Sequence, residues 1–313
     1  MHRRTFVKRL MSGTVLLSAA AFTLAALGHQ VRSGFAGSDR RLTILHTNDT
    51  HSRIDPFPPG GRYEGMGGTA RRARLISEVR EQETHVLVLD AGDIFQGTPY
   101  FNFFKGEVEL KVMSAKGYDV STLGNHDFDA GIERLAEVTE KYATFPFVNC
   151  NYNFSDTPME GMTKEYVVIE KGDLRIGITG VGIELEGLVP DSWFGRTGYC
   201  CPTEKVNRIA THLKEEKGCH CVILLSHLGY SYRSEKISDV SLARLSRNVD
   251  IIIGGHTHTF LDAPEIIRNA DNQPVLINQV GWGGIMLGRI DLVFEPERSK
   301  SRQFYETIPV SPN

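Results

Sequence analysis

The amino-acid sequence predicts an α/β protein built as a sheet sandwich, and two observations support this prediction. Short runs of β-branched residues and leucine alternate with stretches of helical periodicity, which is the β-α-β order of layered α/β sheets. Five of the apolar runs end in clusters of Asp, Asn and His. Because open α/β sheets bind ligands beyond the carboxyl ends of their strands, we expect these five segments to deliver their polar side chains to one rim.

The individual elements follow from the same patterns. The five apolar runs that precede polar clusters lie at residues 42–45, 86–89, 120–123, 222–225 and 251–253, and further strands are predicted at 175–181 and 275–280. Helices are predicted at 68–83, 107–116, 131–141 and 202–217, the last with Pro at its start and Gly after its end. Residues 287–294 alternate between apolar and polar, which indicates a half-exposed strand.

The composition is that of an ordinary globular protein, and it excludes functions that require a strongly basic protein. The 313 residues are 41% hydrophobic and 23% charged, a length that suits one large or two modest domains. The net charge is −3, and without the first 28 residues it is −7. This charge provides no global attraction for a nucleic acid duplex or an anionic membrane, so an anionic substrate must be held locally.

Residues 1–40 are predicted to be a signal peptide and a polar linker, and residues 41–313 a single catalytic domain. The paired Arg3 and Arg4, followed by Phe6 and Lys8, are similar to a twin-arginine export signal. A stretch at 10–27, interrupted by Ser, Gly and Thr, precedes small residues suited to cleavage. An uncleaved anchor is the alternative, but the Ala-rich composition favours cleavage. We therefore expect a periplasmic or extracellular protein with no stable membrane span after cleavage.

The five cysteines are not expected to form a disulfide across the predicted helix at 202–217. Cys200 and Cys201 stand at its start, and Cys219 and Cys221 follow its end. A helix of about 15 residues is about 22 Å long, whereas bridged cysteines have Cα atoms less than ~7 Å apart. We interpret most of the five, including Cys150, as small buried residues.

The first two polar clusters offer carboxylates and one imidazole. Asp49 and His51 are two residues apart, and in an extended chain such side chains point the same way, so both can reach one ion. A turn Asp with a surface His is the alternative. Asp90 and Asp93 compete for a shared bridging role; the residue nearer the strand is more often a turn former, which favours Asp93. The Pro- and Gly-rich loop at 54–67 either walls this site or is a surface excursion.

The remaining clusters supply an amide and further histidines. Asn125 can bind a metal through its amide oxygen, and His126 is either a ligand or a proton donor whose ring Asp129 can orient. A helix N-cap formed by Asp127 or Asp129 is the alternative. His227, taken alone, fits a hydrogen-bonded core residue, whereas His256 and His258 repeat the two-residue spacing. Together the oxygen donors and histidines suffice for two metals about 3.5–4 Å apart that share one carboxylate.

These clusters, above all Leu123-Gly124-Asn125-His126-Asp127-Phe128-Asp129, resemble the calcineurin-like metallophosphoesterases and most resemble the catalytic domain of the 5′-nucleotidase and UDP-sugar hydrolase branch. The resemblance spans residues 42–293 and implies a four-layer α/β/β/α sandwich. It implies one metal held by Asp49, His51, Asp93 and His258, and a second held by Asp93, Asn125, His227 and His256. It further implies that a hydroxide bridging the metals attacks phosphorus, assisted by His126, which Asp129 orients. Two divalent ions, of Mn, Zn, Fe or Co, suit these oxygen and imidazole ligands.

The resemblance also has a departure that leaves the substrate open. Enzymes of this branch usually carry a C-terminal domain that clamps the base, and this sequence ends at Asn313, too soon to encode one. We expect 5′-nucleotidase-like hydrolysis of nucleotides, with a separate chain as one possible source of that domain. The alternatives are a broader phosphomonoesterase or phosphodiesterase, a UDP-sugar pyrophosphatase, or a non-catalytic exported module that binds phosphate compounds.

Overall fold

A computed structural model describes residues 40–294 and 301–312. The strands of this part, in chain order, are β1 (Arg41–Thr47), β2 (Val86–Asp90), β3 (Val120–Ser121), β4 (Phe147–Val148), β5 (Tyr152–Asn153), β6 (Thr163–Lys164), β7 (Tyr166–Lys171), β8 (Leu174–Gly182), β9 (Gly198–Tyr199), β10 (Cys221–His227), β11 (Ile251–Gly254), β12 (Glu265–Arg268), β13 (Pro274–Asn278), β14 (Met286–Phe294) and β15 (Ser301–Pro309). The predicted signal peptide lies outside the described residues.

The helices lie mainly between the strands. In chain order they are α1 (Thr69–Gln82), α2 (Pro99–Phe104), α3 (Glu107–Ala115), α4 (Ile132–Tyr142), α5 (Asp191–Phe194), α6 (Pro202–Thr211) and α7 (Asp239–Leu245). The four predicted helices correspond to α1, α3, α4 and α6 and lie close to their predicted bounds, whereas α2, α5 and α7 were not predicted. A 3₁₀ helix spans Asn125–Phe128, and a π-helical turn at His212–Glu216 continues α6. Every helix in this part of the chain is too short or too polar to cross a lipid bilayer.

Two sheets carry most of the strands. The first has the order β15-β14-β1-β2-β3-β4-β6, and its strands from β1 to β6 are parallel. Thr47 pairs with Asp90 and Asp90 pairs with Ser121, so β1, β2 and β3 end at the same level. The second sheet has the order β12-β13-β11-β10-β8-β7, with β8, β10, β11 and β13 parallel. Each sheet therefore has a rim formed by the carboxyl ends of parallel strands.

The two sheets pack face to face and helices cover both outer faces. Leu and Ile side chains of β1 and β2 meet those of β8, β10 and β11 in the core between the sheets. Ile76 of α1, Leu110 of α3 and Leu135 of α4 belong to the core outside the first sheet. Val206 of α6 and Leu242 of α7 belong to the core outside the second. This arrangement confirms the expected α/β/β/α sandwich.

One strand differs from its prediction. The alternation at 287–294 predicts a half-exposed strand, and this prediction is wrong, because every residue from Leu287 to Phe294 in β14 is buried. The polar members are paired instead of solvated: Arg289 Nε donates to Asp291 Oδ2 at 2.9 Å, and Thr43 Oγ1 donates to Asp291 Oδ1 at 2.6 Å. The polar residues that alternate with apolar ones in β14 therefore form buried ion pairs and hydrogen bonds, and they do not mark a solvent-facing side of the strand.

The cysteines behave as expected. All five are free, which agrees with the absence of a predicted bridge, and Cys150, Cys219 and Cys221 are buried. Burial raises the pKa of the Cys150 thiol to about 12, so this side chain stays a neutral, small core group at physiological pH.

Candidate metal centre

The seven side chains predicted as ligands converge where the carboxyl ends of the two sheets meet. Two groups of three have ligand atoms that all lie within 4.8 Å of one another: Asp49, His51 and His258 form the first group, and Asp93, His227 and His256 the second. Asn125 joins the second group, because its Oδ1 is 2.8 Å from Nδ1 of His256. The strand ends therefore deliver their polar clusters to one place.

The first group brings two imidazoles and a carboxylate together. Nε2 of His51 and Nε2 of His258 are 2.9 Å apart, and Nε2 of His258 is 3.4 Å from Asp49 Oδ1. Nδ1 of His51 is 3.2 Å from the carbonyl oxygen of Phe95, a partner that leaves Nε2 facing the centre. Two nitrogens aimed at one point beside a carboxylate form a geometry that suits a divalent cation.

The second group is joined to the first by Asp93. Oδ2 of Asp93 lies 3.1 Å from His227 Nε2 in the second group and 3.8 Å from His51 Nε2 in the first. Asp93 Oδ1 accepts the backbone N–H of His126 at 2.8 Å, which fixes the carboxylate. Asp93 thus holds the position that a carboxylate shared between two metals requires.

The environment of His227 tests whether a metal fits. Its Nδ1 donates to the carbonyl oxygen of Ala91 at 2.7 Å, so its fully buried Nε2 faces the centre, 3.1 Å from Asp93 Oδ2. A buried imidazole nitrogen held beside a carboxylate has to be satisfied by a proton or by a cation. The oxygen and imidazole donors around it are those of divalent transition metals. The residues present therefore fit the two divalent ions.

The ionisable side chains of the centre shift one another's pKa values. Burial alone lowers the pKa of His227, but the Asp93 carboxylate outweighs burial and raises it to about 10. Burial raises the pKa of Asp93, and His227 overcomes that effect and holds it well below its usual range. Burial lowers the pKa of His256 to about 4, which keeps this imidazole neutral. His227 would have to be neutral to hold a divalent cation, so binding of the cation would release the proton of this ring.

The backbone at the ligands is left-handed, which sequence reasoning did not anticipate. Spacing of two residues predicts an extended chain with both side chains on one side, and this reason is wrong. Five of the seven residues have positive φ: Asp49 at 48°, His51 at 46°, Asp93 at 55°, His256 at 71° and His258 at 53°. Such conformations cost about 1–3 kcal/mol each outside glycine, and they cluster at functional sites where surrounding contacts impose them.

Hydrogen bonds between loops impose that backbone. The N–H of Asp49 donates to Gly92 O at 2.9 Å, and the N–H of His51 donates to Asp93 O at 3.0 Å. Asp90 forms the turn before Asp93, because its Oδ1 accepts the N–H of Gly92 at 3.0 Å. Asp90 is therefore the turn former, and Asp93 faces the other candidate ligands.

Asp127 holds two ligand loops together. Its carboxylate accepts four backbone N–H groups, those of Gly124 at 2.8 Å, Asp93 at 3.1 Å, Ile94 at 2.9 Å and Phe95 at 3.2 Å. Gly124 is the N-cap residue of the 3₁₀ helix and Asp127 is its third residue, so the bond to the N–H of Gly124 belongs to a capping box, as the alternative interpretation predicted. The other three tie the Asp93 loop to the loop that carries Asn125.

His126 lies beside the two groups but outside them. Its Nδ1 is 2.8 Å from Asp129 Oδ2, and its ring centroid is 5.4 Å from that of His51. The hydrogen bond to Asp129 raises the pKa of His126, so the ring retains its proton more readily. Its side chain is 39% exposed, in contrast to the buried His227, and it is therefore accessible to a bound substrate.

Three supporting residues were not predicted from sequence. Asn48 donates to Asp49 Oδ2 at 2.5 Å, and the buried Asp239 accepts from Ser226 Oγ at 2.5 Å. Gln279 accepts the N–H of Thr259 at 2.5 Å and donates to Gly255 O, which braces the turn between His256 and His258. Only Asn48 carried a sequence signal, since it directly precedes a predicted ligand.

The loop at 54–67 lies against the centre. The rings of Phe57 and Tyr63 contact Trp282, with centroids 5.3 and 6.3 Å away. Trp282 in turn stacks on His258, with centroids 5.6 Å apart and planes 9° from parallel. The loop therefore forms a wall of the site, which favours that interpretation over a plain surface excursion.

Comparison with known sequences identifies similar proteins. The sequence model of the calcineurin-like phosphoesterases matches residues 42–260. A snake venom 5′-nucleotidase of Crotalus adamanteus is 32% identical over 303 residues, covering 90% of this chain and 49% of the relative. The trifunctional nucleotide phosphoesterase protein YfkN of Bacillus subtilis (strain 168) is 30% identical over 286 residues, covering 81% of this chain and 18% of the relative. The chain spans about half the length of the 5′-nucleotidases it matches.

Solved structures agree with this. The 5′-nucleotidase precursor from Thermus thermophilus superposes with a TM-score of 0.77 at 31% identity, covering 87% of this chain and 55% of that chain. The NAD nucleotidase of Haemophilus influenzae superposes with a TM-score of 0.74 at 27% identity, covering 86% and 50%. Both similarities extend over nearly all of the described sandwich.

Proposed function

The chain belongs to the calcineurin-like phosphoesterase family, and on that premise we propose that it is a metal-dependent phosphohydrolase acting on nucleotides. The observation that supports this proposal most is the convergence of two groups of oxygen and imidazole donors around Asp93. Neither sheet supplies a complete set alone. The fully buried Nε2 of His227, which faces Asp93 Oδ2 at 3.1 Å, adds to this support, because a cation bound between them would satisfy both atoms.

The distances between the side chains support the ligand sets that the family resemblance implies. Asp49, His51, Asp93 and His258 hold one divalent ion, and Asp93, Asn125, His227 and His256 hold the second. When bound, the two ions supply Lewis acidity that neutralises charge on a phosphoryl group and activates water for attack. Mn, Zn, Fe and Co all suit these donors.

In this proposal His126 donates a proton to the leaving oxygen of the substrate. When the P–O bond of a phosphoester breaks, the alcohol leaves as an alkoxide unless its oxygen is protonated. A positioned imidazolium supplies that proton. Asp129 orients the His126 ring through the 2.8 Å contact at Nδ1 and raises the pKa of the ring, which favours its protonated form. The protonated ring also places a positive charge near the phosphoryl oxygens as their negative charge increases.

The nucleotide assignment is taken from the relatives. Those named above are 5′-nucleotidases and nucleotide phosphoesterases, so nucleoside 5′-monophosphates are the proposed substrates. A panel of AMP, UDP-glucose, a cyclic nucleotide and an aryl phosphate, assayed with each candidate metal, tests this. AMP is expected to be hydrolysed fastest, whereas equal low rates on all four contradict the nucleotide assignment. Elemental analysis of the isolated protein is expected to show two metals per chain.

A substitution of the shared carboxylate tests the metal centre. Asp93→Asn removes the negative charge that joins the two groups, so turnover is expected to disappear and the metal content to fall below two per chain. The exposed Asp173→Asn is the matched control and is expected to keep both. Circular dichroism is expected to show an intact fold in both variants. Full activity in Asp93→Asn contradicts the shared role.

Export completes the proposal. The paired Arg3 and Arg4 support transport of the folded protein out of the cytoplasm, followed by cleavage of the signal. N-terminal sequencing of material recovered outside the cytoplasm is expected to begin near residue 29. An intact Met1 in that material argues against cleavage.

A further inference from the structure

Beside the first ligand group, three aromatic residues outside the candidate ligand set form one continuous surface, the aromatic shelf (Tyr63, Phe260 and Trp282). It begins at the metal centre, because the Trp282 ring stacks on His258 at 5.6 Å. It continues to Tyr63, 6.3 Å from Trp282, and from there to Phe260, which stacks on Tyr63 at 6.1 Å with planes 28° apart. The shelf therefore leads away from the metals in steps of one ring.

The shelf is accessible. Phe260 is 38% exposed, and Tyr63 and Trp282 are half-buried. Single exposed apolar residues are common on protein surfaces and require no explanation. Three contiguous rings that start at a catalytic centre are different, because apolar surface beside convergent polar groups is typical of a ligand site.

The shelf is also preformed. Gly281 has a φ of 73°, and a Cβ there would stand 2.1 Å from the Phe260 ring, so only glycine lets Phe260 lie on this backbone. The loop that carries Tyr63 is closed by hydrogen bonds between Phe57 and both Met66 and Gly65, all at 2.9 Å. Rigid aromatic surfaces bind with little loss of conformational freedom.

Positive charge flanks the rings. The guanidinium of Arg62 lies 5.3 Å from the centroid of Tyr63 in the shelf. That of Arg53 lies 4.2 Å from the centroid of Phe57, which is outside the shelf but contacts Trp282. A ligand that reaches the shelf and the metals together must combine a planar apolar ring with an anionic group. A nucleoside 5′-phosphate has this chemistry.

We propose that the aromatic shelf binds the nucleobase of the substrate while the phosphate lies at the metal centre. This inference rests on the proposed hydrolysis of nucleotides and assigns the base-binding surface to this domain itself. Stacking depends on a π face, which every base has. The shelf therefore accepts purines and pyrimidines alike and discriminates against phosphoesters that lack a ring.

A ring deletion tests the shelf by kinetics. Tyr63→Ala is expected to raise KM for AMP about tenfold and to leave KM for glycerol 2-phosphate unchanged. Tyr63→Phe, which keeps the ring, is the matched control and is expected to resemble the parent protein on both substrates. Metal content is measured in each variant and is expected to stay constant. An unchanged KM for AMP, or an equal rise for both substrates, overturns the inference.

A binding measurement separates this inference from the proposed function. The sequence has two tryptophans, so Trp193→Phe leaves Trp282 as the single fluorescent reporter. Adenosine, corrected for its absorbance, is expected to quench this fluorescence, whereas ribose is not. Quenching in a protein that fails to hydrolyse AMP contradicts the proposed function and supports the shelf. Hydrolysis of AMP without quenching by adenosine supports the function and overturns the shelf.

Discussion

Two carboxylates three positions apart, Asp90 and Asp93, perform different tasks because their surroundings differ. Asp90 accepts hydrogen bonds from Thr47 Oγ1 at 2.6 Å and Ser121 Oγ at 3.1 Å, and burial raises its pKa to about 6. Asp93 meets imidazoles of both ligand groups instead. The first carboxylate shapes the turn and the second is available to cations.

Asp129 acts through His126, so its replacement separates positioning from metal binding. Asp129→Asn keeps the side-chain size but removes the charge that orients and protonates the ring. We expect kcat for AMP to fall on the order of ten- to a hundredfold, with two metals retained by elemental analysis. Asp129→Asn added to His126→Asn is expected to have little further effect, because both changes interrupt one unit. Additive losses would contradict this coupling.

The features of the site that could be predicted from sequence depend on local patterns, and those that could not depend on contacts between distant segments. The clustering of the candidate ligands was predictable because each lies at or just after the end of an apolar run, and parallel strands bring such ends together. The left-handed backbone at Asp49 and His258 was not, since hydrogen bonds between distant loops impose it. Asp239 and Gln279 were missed because a buried polar side chain has the same sequence signature as a turn former.

At the scale of elements, the turn from β3 into the 3₁₀ helix lies against the loop after β2. Gly124 allows this approach: a Cβ at this position would stand 2.2 Å from Asp93 Oδ1 and 2.6 Å from Asp93 N. Its φ of −99° is ordinary, so the requirement is for space alone. The close approach of Asp93 to the loop that carries Asn125 therefore requires glycine, which has no side chain, at position 124.

Gly124→Ala tests this contact. The added methyl group has to displace Asp93, so we expect loss of metal and a destabilisation of about 1–3 kcal/mol, as for other overpacked sites. Gly61→Ala is the matched control, because nothing lies within 4 Å of its Cβ position. Metal analysis and thermal unfolding measure both effects. Full metal content in Gly124→Ala would show that the loops can separate without harm.

The pairing of β1 with β14 places an ion network inside the sheet. Burial raises the pKa of Asp291, but hydrogen bonds from Arg289 and Thr43 overcome this and hold it below its ordinary value of 3.8. Arg289 also donates to Glu83 beyond α1. The alternating sequence of β14 did not reveal this network, because its partners come from other elements.

Asp291→Asn is expected to make stability depend less on acid pH. A carboxyl group with a depressed pKa in the folded state stabilises the fold above the unfolded pKa, and this contribution is lost as pH falls through the folded pKa. At pH 7 we expect the variant to lose about 3 kcal/mol, because the buried Arg289 loses one charged partner and retains Glu83. The gap between variant and parent should narrow below pH 3.8 in urea titrations. A constant gap would contradict the assignment.

At the scale of the whole molecule, the candidate centre joins the two halves of the sandwich. The candidates that follow strands of the first sheet are Asp49, His51, Asp93 and Asn125. In the second sheet His227 is the last residue of β10, and His256 and His258 follow β11. The sandwich itself was predictable, since the strand order and the resemblance both indicated it. The depth at which the candidate centre is buried could not be predicted from the sequence, because it depends on contacts between the layers of the sandwich.

Removal of metal is expected to destabilise the whole sandwich. An ion that binds only the folded state at a hundred times its Kd adds about 2.7 kcal/mol. Chelation should therefore lower Tm, and adding back Mn or Zn should restore it. Asp93→Asn, with its weakened centre, should show a smaller response to chelator than the parent protein. An equal response in both would mean that the stabilising ion binds elsewhere.

The ligand order along the chain sets a limit on biosynthesis. Each proposed ion draws donors from distant parts of the sequence, and the last donors, His256 and His258, emerge from the ribosome long after Asp49 and Asp93. A nascent polypeptide interrupted before His256 therefore completes neither coordination sphere. Loading of the ions must follow translation of most of the domain, and prematurely terminated products are expected to be free of both.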